Sequence, residues 1–157
     1  MMEAAVKKLD LTDHRQAEQL LEVQLPAYRI EAELIGFDGI PGLRDTADTL
    51  RVCDEVFYGC FEDGVLAGAI SYKAEDGIVD IHRLVVHPSY HRRGIGERLV
   101  RFVLEQFRGR VTAFIVSTGA ANLPAKRLYA KLGFEEVRDV EAAPGLFITE
   151  FRRRGDC

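Results

Sequence analysis

The sequence predicts a mixed α/β fold, in which a mostly antiparallel central sheet of about six to seven strands is flanked by helices. Three observations predict it. Glu62-Asp63-Gly64 and Glu75-Asp76-Gly77 separate β-branched runs, and Asp-Gly favours the positive-φ turn that suits strand twist, so the runs form an antiparallel meander. Ile95, Leu99, Phe102, Val103 and Phe107 then recur at helical spacing, which gives one apolar helix face. Beyond that helix the pattern alternates strand, helix and strands, so helices must cover the faces of a mixed sheet.

The elements follow in order. Residues 4–9 read as a first strand. Thr12 or Asp13 can cap a helix carrying Ala17, Leu20, Leu21 and Gln24, which Pro26 interrupts because proline has no N–H to donate. A second helical piece runs over 27–35. Residues 36–48 are rich in Gly, Pro and Asp and read as a loop with a short helical turn near its end. Strands are expected at 56–61, 65–72 and 78–86, a helix at 94–107 and a strand at 111–117. A helix at 123–132 ends at Gly133, the residue that most easily takes the left-handed C′ conformation. Strands at 135–140 and 146–151 close the sheet as a last hairpin.

Composition narrows the function classes. A chain of 157 residues is expected to form one domain over 1–157, and 47% hydrophobic with 29% charged residues is ordinary for a globular protein. A formal net charge of -4 argues against a nucleic-acid partner and leaves a cationic or amine-bearing one open. Basic residues cluster at His91-Arg92-Arg93 and at Arg152-Arg153-Arg154, the second read as a solvated C-terminal tail. Cys53, Cys60 and Cys157 form no C-x-x-C pair, so neither disulfides nor a metal site is expected and a reducing cytoplasm is the default. No signal core or membrane-length run is present, and a homodimer stays open beside a monomer.

Residues 81–96 carry the chemistry. A β-branched strand ends at Pro88, crosses a short basic loop and enters a helix through Gly94 and Gly96. Helix N-terminal N–H groups lack intrahelical partners and carry the positive end of the helix dipole, and glycines let a phosphate approach them. Arg92 and Arg93 add charge beside them. A dinucleotide loop fits poorly, because Leu99 stands where its third glycine belongs and seven residues separate Val86 from Gly94. Side chains alternate along a strand, so Asp80 and His82 are expected on one face with Ile78, Leu84 and Val86. Two titratable groups there suit a cleft or, equally, an exposed edge or hydrogen-bonded pair.

Leu84-Val85-Val86-His87-Pro88 followed by His91-Arg92-Arg93-Gly94-Ile95-Gly96 resembles the Q/R-x-x-G-x-G/A cofactor motif of the GCN5-related N-acetyltransferase (GNAT) superfamily. Asn122-Leu123-Pro124-Ala125-Lys126-Arg127-Leu128-Tyr129-Ala130-Lys131-Leu132-Gly133-Phe134 resembles its N-x-x-A-x-x-L-Y-x-K-x-G-F helix. The resemblance implies acetyl-CoA as cosubstrate, no metal, and acetyl transfer to a primary amine by direct attack on the thioester. It implies cofactor binding by Leu84, Val85, Val86, His91, Arg92, Arg93, Gly94, Ile95, Gly96, Glu97, Asn122 and Tyr129. His91 stands where the family has Gln or Arg, which implies weaker or pH-sensitive cofactor affinity.

Tyr129 falls where the family has its general acid, and an aromatic packing on Leu128 and Phe134 is the plainer use of the same ring. Asp80 and His82 stand where the family has bases that act through water; imidazole exchanges protons nearest neutral pH. Asn122 resembles the residue that binds the pantetheine arm and would also suit a helix N-cap. Tyr28 and Glu31 lie at i,i+3 where the family walls the acceptor site, though a solvated helix face has the same pattern. Two other functions compete with a small-molecule acetyltransferase. One is an acyl-CoA-binding regulatory module without turnover; the other is a protein or peptide N-acetyltransferase.

Overall fold

A computed structural model of the chain describes residues 5–155. Seven strands, β1 (Ala5–Lys8), β2 (Val56–Glu62), β3 (Val65–Glu75), β4 (Ile78–Val86), β5 (Ala113–Gly119), β6 (Glu135–Ala143) and β7 (Leu146–Arg154), form one sheet in the order β1-β2-β3-β4-β5-β7-β6. Every neighbouring pair is antiparallel except β4 with β5. The helices are α1 (His14–Ile35), α2 (Ala47–Arg51), α3 (Ile95–Gln106) and α4 (Leu123–Lys131). The meander turns follow from their Asp-Gly pairs: Asp63, Gly64, Asp76 and Gly77 all have φ between 51° and 80°, as two-residue turns of the primed type require. None of the described helices is long and apolar enough to cross a membrane.

Each sheet face has its own core. On one, Ala17, Leu20, Leu21 and Val23 of α1 bury against Phe57, Ala69 and Val85, with Leu50 of α2 closing the cluster. On the other, Leu99, Val100 and Val103 of α3 bury against Ile70, Val79, Ile81 and Phe114, and Phe151 of β7 joins them. A fully buried leucine such as Leu20 or Leu99 contributes about 1.5–3 kcal/mol.

Three expectations are corrected. Pro26 does not divide the first helix: α1 continues through it, capped by Asp13 at one end and by left-handed Gly36 at the other. One lost backbone bond is outweighed where residues on both sides are held by packing, and Gln24, completely buried, anchors the helix near the proline. Arg152-Arg153-Arg154 is not a tail but the end of β7, pairing with Ala113, Phe114 and Ile115, and Arg153 Nε donates to the Leu132 carbonyl at 2.8 Å. The loop at 36–48 holds a 3-10 turn, Pro41–Arg44, and the start of α2. Residue 4 and Cys157 lie outside the described residues.

The third correction shapes the site. Opposite β3 the register steps from Tyr72↔Ile81 to Ser71↔Arg83, so His82 is one residue extra and β4 carries a bulge. A bulge reverses which side of the sheet each later residue faces. Val79 and Ile81 lie in the α3 core and so do Leu84 and Val86, whereas Val85 lies in the α1 core. Asp80 therefore faces away from Leu84 and Val86, so the face expected from strict alternation does not continue past the bulge, although Asp80 and His82 remain in contact at 3.4 Å. At the same point β4 and β5 part. Their pairing stops at Ile81↔Val116, while β4 stays with β3 as far as Val86↔Gly68 and β5 stays with β7 as far as Gly119↔Ile148. The sheet is split between two strands that each remain anchored on their outer side.

Candidate active site

A cleft of about 1060 Å³ fills this split, walled by the free edges of β4 and β5, by α1, and by the N-terminal ends of α3 and α4. Leu84, Val85 and Val86 border it with backbone groups that β5 no longer pairs. Such groups seek hydrogen-bond partners, and a ligand with amides along its length can supply them.

The basic loop wraps one end. His91 Nε2 lies 3.3 Å from the Val86 carbonyl oxygen and ties the loop back to its strand. Arg92 at φ 65° and Gly94 at φ 73° turn the chain into α3, whose first N–H groups then face the cleft. His91, Arg92, Gly94, Ile95, Gly96 and Glu97 all line it. Glu97 is held by Lys131 Nζ at 2.7 Å and Arg101 Nε at 2.9 Å, and these hydrogen bonds keep its carboxyl below the usual range. Arg93 is turned elsewhere, onto Glu62 at 3.1 Å and over the Tyr90 ring.

Tyr129 sits on the inner side of α4, 3% exposed, with Phe134 and Phe151 around its ring at 5.6 and 5.7 Å. It also lines the cleft, so packing and access coexist. Burial, reinforced by the negative charge of Glu31, pushes its phenol well above the ordinary range and keeps it protonated. Asn122 divides its amide: Oδ1 caps α4 by accepting from Ala125 N at 3.3 Å, and Nδ2 donates to Glu31 Oε1 at 3.0 Å. Burial raises the Glu31 carboxyl, and the Asn122 bond only partly opposes this. Tyr28, one helical turn away, is raised by burial too, and its ring lies where a Cβ on Gly42 would fall.

His82 stands at the bulge between two carboxylates, with Nδ1 3.7 Å from Glu55 and Nε2 3.4 Å from Asp80. His82 lines the cleft, whereas neither Asp80 nor Arg93 does. The residues brought together are thus Tyr28, Glu31, His82, Asn122 and Tyr129, with the β4 edge and the glycine loop.

Sequence reasoning missed the group that fixes this arrangement. Arg83, only 16% exposed, bonds Asp45 at 2.5 Å, Glu55 at 3.0 Å and the Gln24 carbonyl at 3.1 Å, and stacks over Phe57. Ser71 completes it with a 2.5 Å bond to Glu55. Burial alone would raise Asp45 and Glu55, but the hydrogen bonds and the guanidinium charge outweigh it and hold both low. One side chain of β4 thereby joins α1, the loop before α2 and the start of β2, and Glu55 extends the link to Ser71 of β3. The signal was a charged residue inside an apolar strand, opposite a helix that buries a glutamine.

Comparison with known proteins agrees with this geometry. Over its whole length the fold matches PaiA N-acetyltransferase from Thermoplasma acidophilum in complex with coenzyme A (TM-score 0.78, 21% identity, 98% and 99% of the two chains). It also matches YncA from Salmonella typhimurium with acetyl-CoA (TM-score 0.73, 17% identity, 99% and 96%). In sequence the chain is 38% identical over 146 residues to UPF0157 protein YqkA of Bacillus subtilis, covering 91% of this chain but 42% of that protein's length. The model of the acetyltransferase (GNAT) family matches residues 17–134. Strand order, split sheet, glycine loop and this match together show that the chain belongs to the acetyltransferase (GNAT) family.

Proposed function

We propose that the chain transfers an acetyl group from acetyl-CoA to a primary amine, acting as one domain over its length. The observation that carries this is the split between β4 and β5, which leads from the N-terminus of α3 along an unpaired strand edge to Tyr129. The residues fit the cosubstrate. The α3 N–H groups, Arg92 and the positive-φ turn at Gly94 would hold a pyrophosphate, with Gly96 leaving room for it. The Val85 and Val86 backbone would pair with the pantetheine amides.

When bound, acetyl-CoA supplies the thioester carbonyl that the amine attacks. Glu31 and His82, on the acceptor side of Tyr129, can take the proton that an ammonium must lose, directly or through water. A carboxylate raised by burial accepts a proton more readily than an exposed one. Tyr129 would hydrogen-bond the departing sulfur and give its proton as the carbon–sulfur bond breaks, and the second proton lost by the nitrogen would restore the phenol, so that an amide and a free thiol form and one proton leaves with the base. Asp80 does not border the cleft, and its 3.4 Å contact with His82 gives it a role through that residue. Release of thiol from acetyl-CoA against a panel of amines tests the reading, and a chain that binds coenzyme A yet releases none with any amine refutes it. The reading extends to cytoplasmic residence, on the cysteine pattern, and to a homodimer, since β6 is exposed along nearly its whole length and offers an open sheet edge to a second copy. Sedimentation velocity at micromolar concentrations would show the dimer, and a single monomeric species would exclude it.

A further inference from the structure

The acceptor end of the cleft is unlike its cofactor end. Leu34, Ile35, Phe37, Ile40, Leu146 and Ile148 line it, and Leu34 is 46% exposed there. This wall is tightly built. A Cβ on Gly119 would lie 2.6 Å from the Ile35 side chain, so the end of α1 is seated directly on the end of β5. The Ala120 N–H donates to the Phe147 carbonyl at 2.9 Å and locks the tip of β7 beside them.

The charged groups at this end are as telling. Glu31 borders the cleft with one carboxylate oxygen held by Asn122. Arg83 and Glu55 also border it, yet the guanidinium is already engaged by Asp45, Glu55 and Gln24 and has two carboxylates against its one charge. Arg92 belongs to the phosphate loop at the far end. Among the described residues bordering this end, a substrate carboxylate entering beside Glu31 would therefore meet negative charge and, apart from the engaged Arg83, only the His82 imidazole already set between Glu55 and Asp80, at a cost that grows as water is excluded. An ammonium would meet the reverse.

Resting on the acetyl-transfer reading above, we propose that the acceptor is a primary amine borne on an apolar body and lacking a neighbouring carboxylate, with its ammonium on Glu31 and its body against the Leu34–Phe37 wall. The choice is steep in both directions. An α-amino acid of the same side chain is rejected by charge, and a polyamine is rejected because its further ammonium groups would be desolvated against apolar side chains.

Initial rates of thiol release with 2-phenylethylamine, phenylalanine and spermidine test this. The expected kcat/KM for 2-phenylethylamine exceeds that for either competitor at least tenfold. Glu31→Gln, which keeps an acceptor for Asn122, raises the amine KM at least tenfold while the Kd for coenzyme A by calorimetry stays within twofold, and Glu31→Asp recovers part of the loss. Phe37→Ser lowers kcat/KM for 2-phenylethylamine and narrows its preference over spermidine, because a polar wall costs further ammonium groups less. Phenylalanine or spermidine turned over as well as 2-phenylethylamine would overturn the proposal and leave acetyl transfer standing, as would a Glu31→Gln enzyme with unchanged amine KM. Coenzyme A bound with no thiol released from any amine would instead defeat the underlying reading, and this proposal with it.

Discussion

Tyr129 shows how one ring can pack in the core and still border the cleft. The motif around it was legible because Asn122, Gly133 and Phe134 stand at fixed offsets, and the structure packs its ring among Phe134 and Phe151 while leaving it on the cleft. Removing only the hydroxyl separates the two uses. Tyr129→Phe should cost under about 1 kcal/mol in thermal or urea unfolding, because the ring contacts persist and the lost group has only a modest net worth. Turnover should fall about a hundredfold, the lower range for a positioned general acid. Equal turnover in the two enzymes would remove Tyr129 from the chemistry. The raised phenol also fixes a sign: it stays a proton donor throughout neutral and mildly alkaline pH, so any alkaline loss of rate below pH 9 must come from another group. Asp80 illustrates the opposite case. Its period-two position in β4 suggested a partner for Leu84 and Val86, and one unpaired residue at His82 removed that logic.

At the scale of elements, the hairpins were legible because Asp-Gly chemistry is local, and α3 because its apolar face is. Neither the continuity of α1 through Pro26 nor the bulge in β4 is local, since both depend on side chains far apart in sequence. Arg83 is the clearest instance, its partners being Gln24, Asp45 and Glu55. Arg83→Met should destabilise by about 3–5 kcal/mol in urea at pH 7, because two nearly buried carboxylates lose their cation. The pH dependence has a definite direction. Asp45 and Glu55 have folded pKa values below their unfolded ones, so their stabilisation is complete above the unfolded values near 4 and fades as pH falls through the folded ones. The gap between wild type and Arg83→Met should therefore narrow on acidification from pH 7 to 3, and a constant gap would mean that packing rather than charge is lost. Gly94→Ala isolates a backbone effect: its Cβ would meet nothing within 4 Å, so the expected cost of about 1–2 kcal/mol arises from the φ of 73° alone.

At the scale of the molecule, strand count and mixed character were legible from the sequence, but the split was not. Pairing between β4 and β5 ends because β4 gains a residue opposite β3 while β5 follows β7, and no single segment encodes that divergence. The split leaves unpaired backbone on both strands inside an otherwise continuous sheet, and a ligand that spans it binds only the folded chain. Binding must then raise stability by mass action. Coenzyme A at a hundred times its Kd should add about 2.7 kcal/mol. For a chain of this size each kcal/mol shifts Tm by about 2–4 °C, so melting should rise by about 5–11 °C in differential scanning calorimetry. NAD at the same concentration should leave Tm unchanged, because the loop between Val86 and Gly94 is too long for a dinucleotide fingerprint and Leu99 replaces its third glycine. A shift with coenzyme A that vanishes when Gly94 is replaced by a bulky residue would tie the stabilisation to the α3 N-terminus. An equal shift with NAD would instead mean that the loop reads phosphate without reading the pantetheine arm, and that the free edge of β4 contributes nothing to recognition.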